Sequence, residues 1–406
     1  MTVMSGCGYG GGSLTYQGMT LQPSRAVFES EFPAALDYDE MDRHYRTVAD
    51  TIGIATAPDR IAEAPTYEAP RVFKRRAEAA GFEVERIPMP INWSFAEAEL
   101  DGRVKPSYTN GDCAFGVNNG GKHSLDVTYL RRAERTGRLE KRLLHRVDGV
   151  ARTRSGEWEV TAVRTDERGT PQETVVITTP ALVMAAGSGN TSKMLVRARA
   201  LGMIPDLPDA TGTDWGTNAD RIYVWTSLSE RLPSPQGGPV VFGSKDWADP
   251  ARANTVIQAS IPPIVLAGLG VDPNSTILVG YGVSEERGRW AYDALADRAT
   301  LRWRHEGDRV IQTEKIGPRV RAVAGAASVL LDTNAVVPST WHPMGGASMG
   351  TTCDFEGRVQ GQRGLYVLDG ALLPGTAGAC NPSMTIAAVA ERAMARIVRD
   401  DVGTVI

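Results

Sequence analysis

Cysteine and histidine are both scarce in this 406-residue chain, with four of one and five of the other. The cysteines, Cys7, Cys113, Cys353 and Cys380, stand far apart and none has C-x-x-C spacing. This spacing argues against a disulfide framework and against a zinc site. We therefore expect no structural metal and a reducing compartment, the cytoplasm.

Long apolar runs and an excess of either charge are also missing. No stretch approaches the roughly 20 apolar residues that a membrane helix needs, and the first residues lack the pattern of a secretory signal. Lys and Arg number 44 against 48 Asp and Glu, a net charge of −4. This balance gives no reason to expect nucleic acid or an anionic membrane. We expect a small-molecule partner and no integral membrane segment.

The hydrophobic periodicity predicts a mixed α/β fold. Helical spacing covers 25–31, 39–52, 67–80, 125–135, 292–297, 320–331 and 383–400. Stretches 139–153, 157–165 and 173–179 read as an antiparallel β-meander. Residues 181–186 and 365–368 are apolar strands, the first without alternation, as in a strand buried on both faces. Each ends in a glycine turn, which suggests a nucleotide-binding layer interrupted by a second domain.

Two glycine-rich stretches are candidate cofactor sites. GCGYGGGSLTYQGM, from Gly6 to Met19, satisfies G-x-G-x-x-G, but little strand precedes it and no helical period follows before Arg25. It is a dinucleotide fingerprint, a tight surface turn, or a loop that lets a planar or anionic cofactor touch the backbone. AAGSGNTS, at 185–192, follows a predicted strand and opens a predicted helix. Its backbone amides could bind a phosphate, and a turn that packs the strand closely against the helix is an equally good interpretation.

The C-terminal part holds the residues best suited to catalysis. His342 alone among the histidines sits among small, turn-forming residues, in STWHPMGG. Asp369 and Gly370 end an apolar strand, and Asn381 and Pro382 precede the last helix. An imidazole can accept a hydroxyl proton, and an amide can orient a substrate oxygen at any pH. The alternatives are a structural His-Pro loop and an asparagine that only caps its helix.

HPMGG, GLYVLDGALLPG and NPSMTIAAVAER, in this order and spacing, resemble the C-terminal signature of the glucose-methanol-choline (GMC) flavoprotein oxidoreductases. GYGGGSLTYQGM, GGKHSLDVTYL and AAGSGNTSKMLVRAR resemble the cholesterol oxidase branch of that family. The resemblance implies a Rossmann-like FAD-binding domain with a β-meander, formed by 1–22, 117–217 and 335–406. It also implies a substrate domain with a large antiparallel sheet, formed by 23–116 and 218–334.

The same resemblance implies a set of site residues and an activity. His342 and Asn381 are expected to be catalytic. The expected FAD-binding residues are Gly11, Gly12, Ser13, Met19, Val147, Gly187, Asp369, Gly370 and Pro382. The implied reaction is oxidation of the hydroxyl of a bulky, apolar, steroid-like alcohol by hydride transfer to flavin N5.

Three departures from the family pattern qualify this expectation. The family's β-α-β unit with the true fingerprint is not found ahead of GYGGGS, so the alternative is a catalytically silent fragment that cannot hold FAD alone. Ala259 stands where steroid-isomerising members have glutamate, so we expect oxidation without a double-bond shift. Ser383 and Tyr16 replace an aromatic residue and an asparagine, and the choice between oxidase and dehydrogenase stays open.

Overall fold

The protein is described here by a computed structural model covering residues 1–117, 120–262 and 272–406. Its strands are β1 (Thr2–Val3), β2 (Glu85–Arg86), β3 (His145–Arg152), β4 (Trp158–Thr165), β5 (Pro171–Thr179), β6 (Leu182–Met184), β7 (Arg221–Ser227), β8 (Phe242–Asp246), β9 (Asn254–Ala259), β10 (Ser275–Gly282), β11 (Arg289–Asp293), β12 (Arg298–Arg302), β13 (Ser328–Asp332), β14 (Ser339–Thr340) and β15 (Leu365–Val367). Its helices are α1 (Arg25–Glu31), α2 (Tyr38–Ile52), α3 (Asp59–Ala62), α4 (Glu68–Ala79), α5 (Trp93–Leu100), α6 (Tyr129–Arg135), α7 (Ser188–Ala200), α8 (Glu306–Ile311), α9 (Gly317–Ala324), α10 (Thr333–Val336) and α11 (Pro382–Asp400).

The largest sheet has six antiparallel strands in the order β13-β7-β10-β9-β8-β2. Side chains alternate between the faces of a strand, so residues paired in register share a face. Gly280 marks one face, because a Cβ there would overlap the Ile316 side chain beside α9. Tyr281 marks the other face, since its hydroxyl reaches Asn381 at the start of α11. The sheet therefore has helices on one side and the C-terminal motifs on the other.

The predicted meander is confirmed as the antiparallel sheet β3-β4-β5. A separate parallel pair joins β6 to β15, with Val183 opposite Tyr366. The expectation that 181–186 is buried on both faces is wrong, because Val183 is 47% exposed. In the described part of the chain β6 pairs with β15 alone, which leaves its other edge uncovered.

The last helix packs against α2 and closes a second apolar core. The Tyr45 hydroxyl and Thr385 Oγ1 lie 2.8 Å apart across this contact, and Met41, Val48 and Ala388 are buried in the same core. Predicted helices 25–31, 39–52, 67–80 and 383–400 are confirmed to within one residue at each end. The helix predicted from 125 begins at Tyr129, because residues 125–128 form turns.

Two predicted helices are wrong in whole or in part. The stretch 292–297 belongs to a hairpin in which β11 pairs with β12 around a turn where Asp297 has φ +43°. The stretch 320–331 is helical only to Ala324, where Gly325, with φ +71°, ends the helix. The remainder becomes β13, because pairing with β7 fixes its extended conformation.

Candidate active site

The backbone around His342 is held between two other segments. Met344 exchanges both backbone hydrogen bonds with Gly216, at 2.8 and 3.0 Å. Gly345 follows with φ +79°, and a Cβ there would overlap the carbonyl oxygen of Asp214. The glycine after this methionine is therefore required for the close approach. The approach fixes the turn that presents the imidazole.

Asn381 and Tyr281 lie on one side of the imidazole. Asn381 Nδ2 is 3.2 Å from His342 Nε2, and Asn381 Oδ1 accepts the Tyr281 hydroxyl at 2.8 Å. The tyrosine ring meets the imidazole edge-on, with centroids 5.4 Å apart. Because the tyrosine donates to the amide oxygen, the amide nitrogen must face the imidazole.

Asp220 lies on the other side of the ring. Its Oδ1 is 2.6 Å from His342 Nδ1, while Oδ2 accepts from Thr340 Oγ1 at 2.7 Å and from the Trp341 amide at 2.9 Å. Burial raises the pKa of this carboxyl, but the His342 imidazole and the two donors outweigh burial. The net pKa of Asp220 is below its usual value, so the group is a buried carboxylate at neutral pH.

Two further polar residues back this arrangement. Asn218 Nδ2 donates to the Cys380 carbonyl at 2.6 Å and lies 3.2 Å from His342 Nδ1. Asp308, on α8, accepts from Ser284 Oγ at 2.6 Å and from Thr217 Oγ1 at 3.2 Å. Burial, with the nearby charge of Asp220, raises the pKa of Asp308 to about 6.

The N-terminal glycine stretch is not a strand–turn–helix. Strand β1 ends at Val3 and pairs with β14, next to His342, and a short 3₁₀ turn over Gly11–Leu14 follows the glycines. Ser13 Oγ accepts the Leu125 amide at 2.9 Å. The Lys122 ammonium donates to the carbonyls of Leu14 and Tyr16, at 3.1 and 2.7 Å. The standard fingerprint interpretation is therefore wrong here, and a loop shaped for backbone contact is left.

The second glycine turn is tied to the end of β15 by one carboxylate. Asp369 Oδ2 accepts from the Gly187 amide at 2.8 Å and from Thr191 Oγ1 at 2.5 Å, and Oδ1 accepts from the Ala371 amide at 2.7 Å. Burial raises the pKa of Asp369, although these three donors oppose the rise. Gly370 adjoins the His342 turn, since a Cβ there would lie 3.2 Å from the Pro343 carbonyl oxygen.

The remaining predicted residues lie around this network. Pro382 is the first residue of α11, directly after Asn381. Met19 is buried in the same apolar core as Cys380. Val147, on β3, is 42% exposed and shares no hydrogen bond with the His342 network in the described ranges. The structure thus brings together His342 and Asn381, and separately Gly187 with Asp369, while their roles stay predictions.

Sequence reasoning missed Asp220, Asn218 and Tyr281. The first two lie in TNAD, just before β7, and Tyr281 lies near the end of β10. A cluster of polar residues directly before an alternating strand was the available signal for Asn218 and Asp220. Nothing local distinguishes Tyr281, which reaches the site only through the sheet register.

Comparison with known proteins places this geometry in a family. Two models described as GMC oxidoreductase match residues 1–206 and 284–390. A cholesterol oxidase of Mycobacterium tuberculosis (strain CDC 1551 / Oshkosh) is 26% identical over 469 residues, covering 96% of this chain and 78% of the relative. A cholesterol oxidase of Acinetobacter baumannii is 25% identical over 468 residues, covering 98% and 82%.

Among solved structures, pyridoxine 4-oxidase from Mesorbium loti superposes with a TM-score of 0.60. It is 14% identical, over 96% of this chain and 83% of that one, so the likeness concerns the fold. Among the described helices, none combines the length and the apolar character needed to cross a bilayer.

The enzymes of this family use FAD, and the residues described above fit that cofactor. A Cβ added at Gly11, Gly12 or Gly187 would meet no atom of the described residues within 4 Å, so these backbones face open space there. In the first turn of α11, Ser383 Oγ is buried without a hydrogen-bond partner in the described part of the chain, and the Asn381 side chain does not cap the helix. The amides of this turn suit an electron-rich group. The Asp369 carboxylate can accept about four hydrogen bonds. It accepts three from the described residues, so about one position is left for a hydroxyl.

Proposed function

This chain belongs to the GMC oxidoreductases and is an FAD-dependent alcohol oxidoreductase, and we propose that its substrate is a bulky, apolar, steroid-like alcohol. The observation that carries the proposal is a partly exposed apolar sheet face that leads to the His342–Asn381 pair. This face joins a polar end suited to a hydroxyl with a long apolar surface.

The proposed chemistry divides between the hydroxyl and its carbon. His342 Nε2 accepts the hydroxyl proton, and Asn381 holds the substrate oxygen beside it. Bound FAD supplies the hydride acceptor for the carbon. Gly11, Gly12 and Gly187 would let the cofactor approach the backbone, and the first turn of α11, which begins at Pro382, would face it. The Tyr281 hydroxyl fixes the amide, so the pair is oriented before the alcohol arrives.

The apolar face is defined by register. Ile277 lies opposite Val224 and Ala259, and Val279 lies opposite Ile222. Across β7, Val224 pairs with Leu331, which is 53% exposed. We name this surface of Ile222, Val224, Ile277, Val279, Val329 and Leu331 the apolar face.

A contiguous patch of exposed apolar side chains on a folded protein commonly marks a binding site. Removing apolar surface from water favours binding by about 25 cal/mol for each Å² that the ligand covers. The apolar face therefore favours an alcohol with a large hydrocarbon body over a small or charged one.

Oxidation without isomerisation remains part of the proposal. Ala259 lies on the same side of the sheet, with Ile277 opposite it and Ile257 two positions earlier. Glu85 shares that side at the β2 edge, where it is ion-paired with Lys245 at 2.6 Å. Ala259 offers no proton carrier, and the described residues beside it on this side of the sheet, Ile277 and Ile257, are hydrocarbon, which supports a reaction that ends at the ketone.

The test is anaerobic reduction of the bound flavin by a series of n-alkanols and by sterols. The reduction is monitored through the loss of the flavin's visible absorbance. We expect kcat/KM to rise about fourfold for each added CH₂, which is about 0.8 kcal/mol. His342→Ala should abolish reduction by alcohols but not by dithionite, and His44→Ala, on α2, is the matched control. Alcohol turnover that survives in His342→Ala would contradict the mechanism.

A pair of leucine variants tests the substrate class. Leu331→Gln should raise KM for a bulky alcohol several-fold with little change for ethanol. Leu295→Gln, at a fully exposed turn position, should leave both values unchanged. Equal effects of the two variants would remove the apolar face from the proposal.

The alternative of a silent fragment is tested by the same preparation. A purified chain without flavin absorbance that takes up no added FAD would favour that alternative. Yellow protein, or stoichiometric uptake of FAD, would favour the enzyme.

A further inference from the structure

Asp220 is built into the segment that carries His342. Its Oδ2 accepts the Thr340 hydroxyl and the Trp341 amide, both within two residues of the histidine. The Thr340 hydroxyl oxygen in turn accepts the His342 amide at 3.0 Å. One carboxylate oxygen is thus fixed by the segment that carries the histidine, and Oδ1 is left at 2.6 Å from Nδ1.

The contacts at the two ring nitrogens favour one tautomer. Asn381 presents an N–H to Nε2, which calls for a lone pair on that nitrogen. Asp220 presents an acceptor to Nδ1, which calls for a proton there. Asn218 Nδ2 donates one N–H to the Cys380 carbonyl at 2.6 Å, and its second N–H lies near Nδ1, at 3.2 Å, as a neutral contact that favours the opposite tautomer. Asp220 Oδ1 is buried with no other hydrogen-bond partner among the described residues, and a charged acceptor at 2.6 Å outweighs a neutral donor at 3.2 Å, so the carboxylate decides where the proton lies.

We propose that Asp220 is a positioning residue that holds the proton of His342 on Nδ1 and so keeps Nε2 unprotonated, ready to accept the proton of the substrate hydroxyl. The consequence for turnover rests on the proposed function, in which His342 is the base. The tautomer itself does not depend on any substrate. When Nε2 has taken the hydroxyl proton, the same carboxylate stabilises the imidazolium across the 2.6 Å contact.

Asp220→Asn is an informative test because the neighbouring donors determine the orientation of the new side-chain amide. The Thr340 hydroxyl and the Trp341 amide both need an acceptor, so the new carbonyl oxygen will face them. The new NH₂ group then faces Nδ1 and turns it into an acceptor. The proton moves to Nε2, which removes the base without removing the imidazole.

The experiment measures the tautomer and the rate separately. In protein labelled with ¹⁵N-histidine at mildly alkaline pH, with His342→Gln for assignment, we expect Nδ1 to be protonated in the wild type and Nε2 in Asp220→Asn. The limiting rate of flavin reduction by an alcohol should fall by about 10²- to 10⁴-fold, with reduction by dithionite unchanged. Asp401→Asn is the matched control, because it removes another buried carboxylate, at the far end of α11 from Asn381, and leaves the Asp220–His342 contact in place.

The outcomes separate the inference from the function on which it builds. A wild-type spectrum with the proton on Nε2, or the same tautomer in Asp220→Asn, would overturn the role of Asp220. A switched tautomer with an undiminished rate would confirm that role and overturn His342 as the base. Should Asp220→Asn fail to fold, the wild-type spectrum alone still decides the tautomer.

Discussion

The buried carboxyl of Asp308 makes the stability of this protein depend on pH in a direction opposite to that of most carboxylates. Its pKa is raised from 3.8 to about 6, first by burial and then by the charge of Asp220, against the two hydroxyl donors Ser284 and Thr217. Because the folded chain binds this proton more tightly than the unfolded chain, the carboxyl contributes stability at low pH. That stability is lost as the pH rises through 6.

The shift of about two pKa units corresponds to about 3 kcal/mol for the complete titration. Between pH 4.5 and pH 8 about 2 kcal/mol of it is lost. Asp308→Asn keeps an acceptor for Ser284 and cannot ionise, so it escapes this loss. Its free energy of unfolding, relative to the wild type, should therefore increase by about 2 kcal/mol from pH 4.5 to pH 8.

The assay is urea unfolding of both proteins at several pH values, followed by tryptophan fluorescence. Ser284→Ala provides the matched comparison, because it keeps the carboxyl but removes a donor to its ionised form. It should raise the pKa of Asp308 further and steepen the loss of stability towards high pH. A difference between Asp308→Asn and the wild type that is the same at pH 4.5 and pH 8 would refute the raised pKa.

Three other substitutions test the packing around the site. Tyr281→Phe leaves the active-site amide oxygen without its donor; flavin reduction by alcohols should slow by about tenfold, and the free energy of unfolding should fall by about 1–3 kcal/mol. Gly345→Ala combines a positive φ with an overlap on the Asp214 carbonyl, and should lower the free energy of unfolding by roughly 3–5 kcal/mol, measured in urea. Arg392→Met removes a buried arginine from two partly buried glutamates, Glu40 and Glu356, which keep Arg396 as a partner, and should cost about 1–3 kcal/mol, whereas Arg25→Met, at an exposed pair, should leave the midpoint nearly unchanged.

Local pattern predicted the elements with strong periodicity and the residues that lie in motifs. The meander, the long helices and the parallel strand at 365–367 follow from alternation and helical spacing. His342 and Asn381 are 39 positions apart in the sequence, yet each is marked by its own turn-forming neighbours. Their approach to 3.2 Å follows the expectation from the resemblance.

The residues that sequence reasoning missed are those placed by tertiary pairing. Tyr281 faces Asn381 only because β10 lies between β7 and β9 in a register that turns odd-numbered positions towards α11. A shift of one residue would turn Tyr281 to the opposite face. The same tertiary effect made the helix prediction at 292–297 fail, and that at 320–331 fail after Ala324, because strand partners overrode the local preference there.

The register of β10 also sets a length for the proposed substrate. Tyr281, Val279 and Ile277 follow one another on the same face, with the polar end at the histidine and the apolar end towards β13. A strand rises about 3.3 Å per residue, so the distance from Tyr281 to Ile277 is about 13 Å. An alcohol whose hydroxyl reaches His342 can therefore cover about 13 Å of hydrocarbon surface before it passes Ile277. We expect kcat/KM to rise with alkyl length and to level off near that reach, and a rise that stops after two or three carbons would show that the apolar face takes no part in binding.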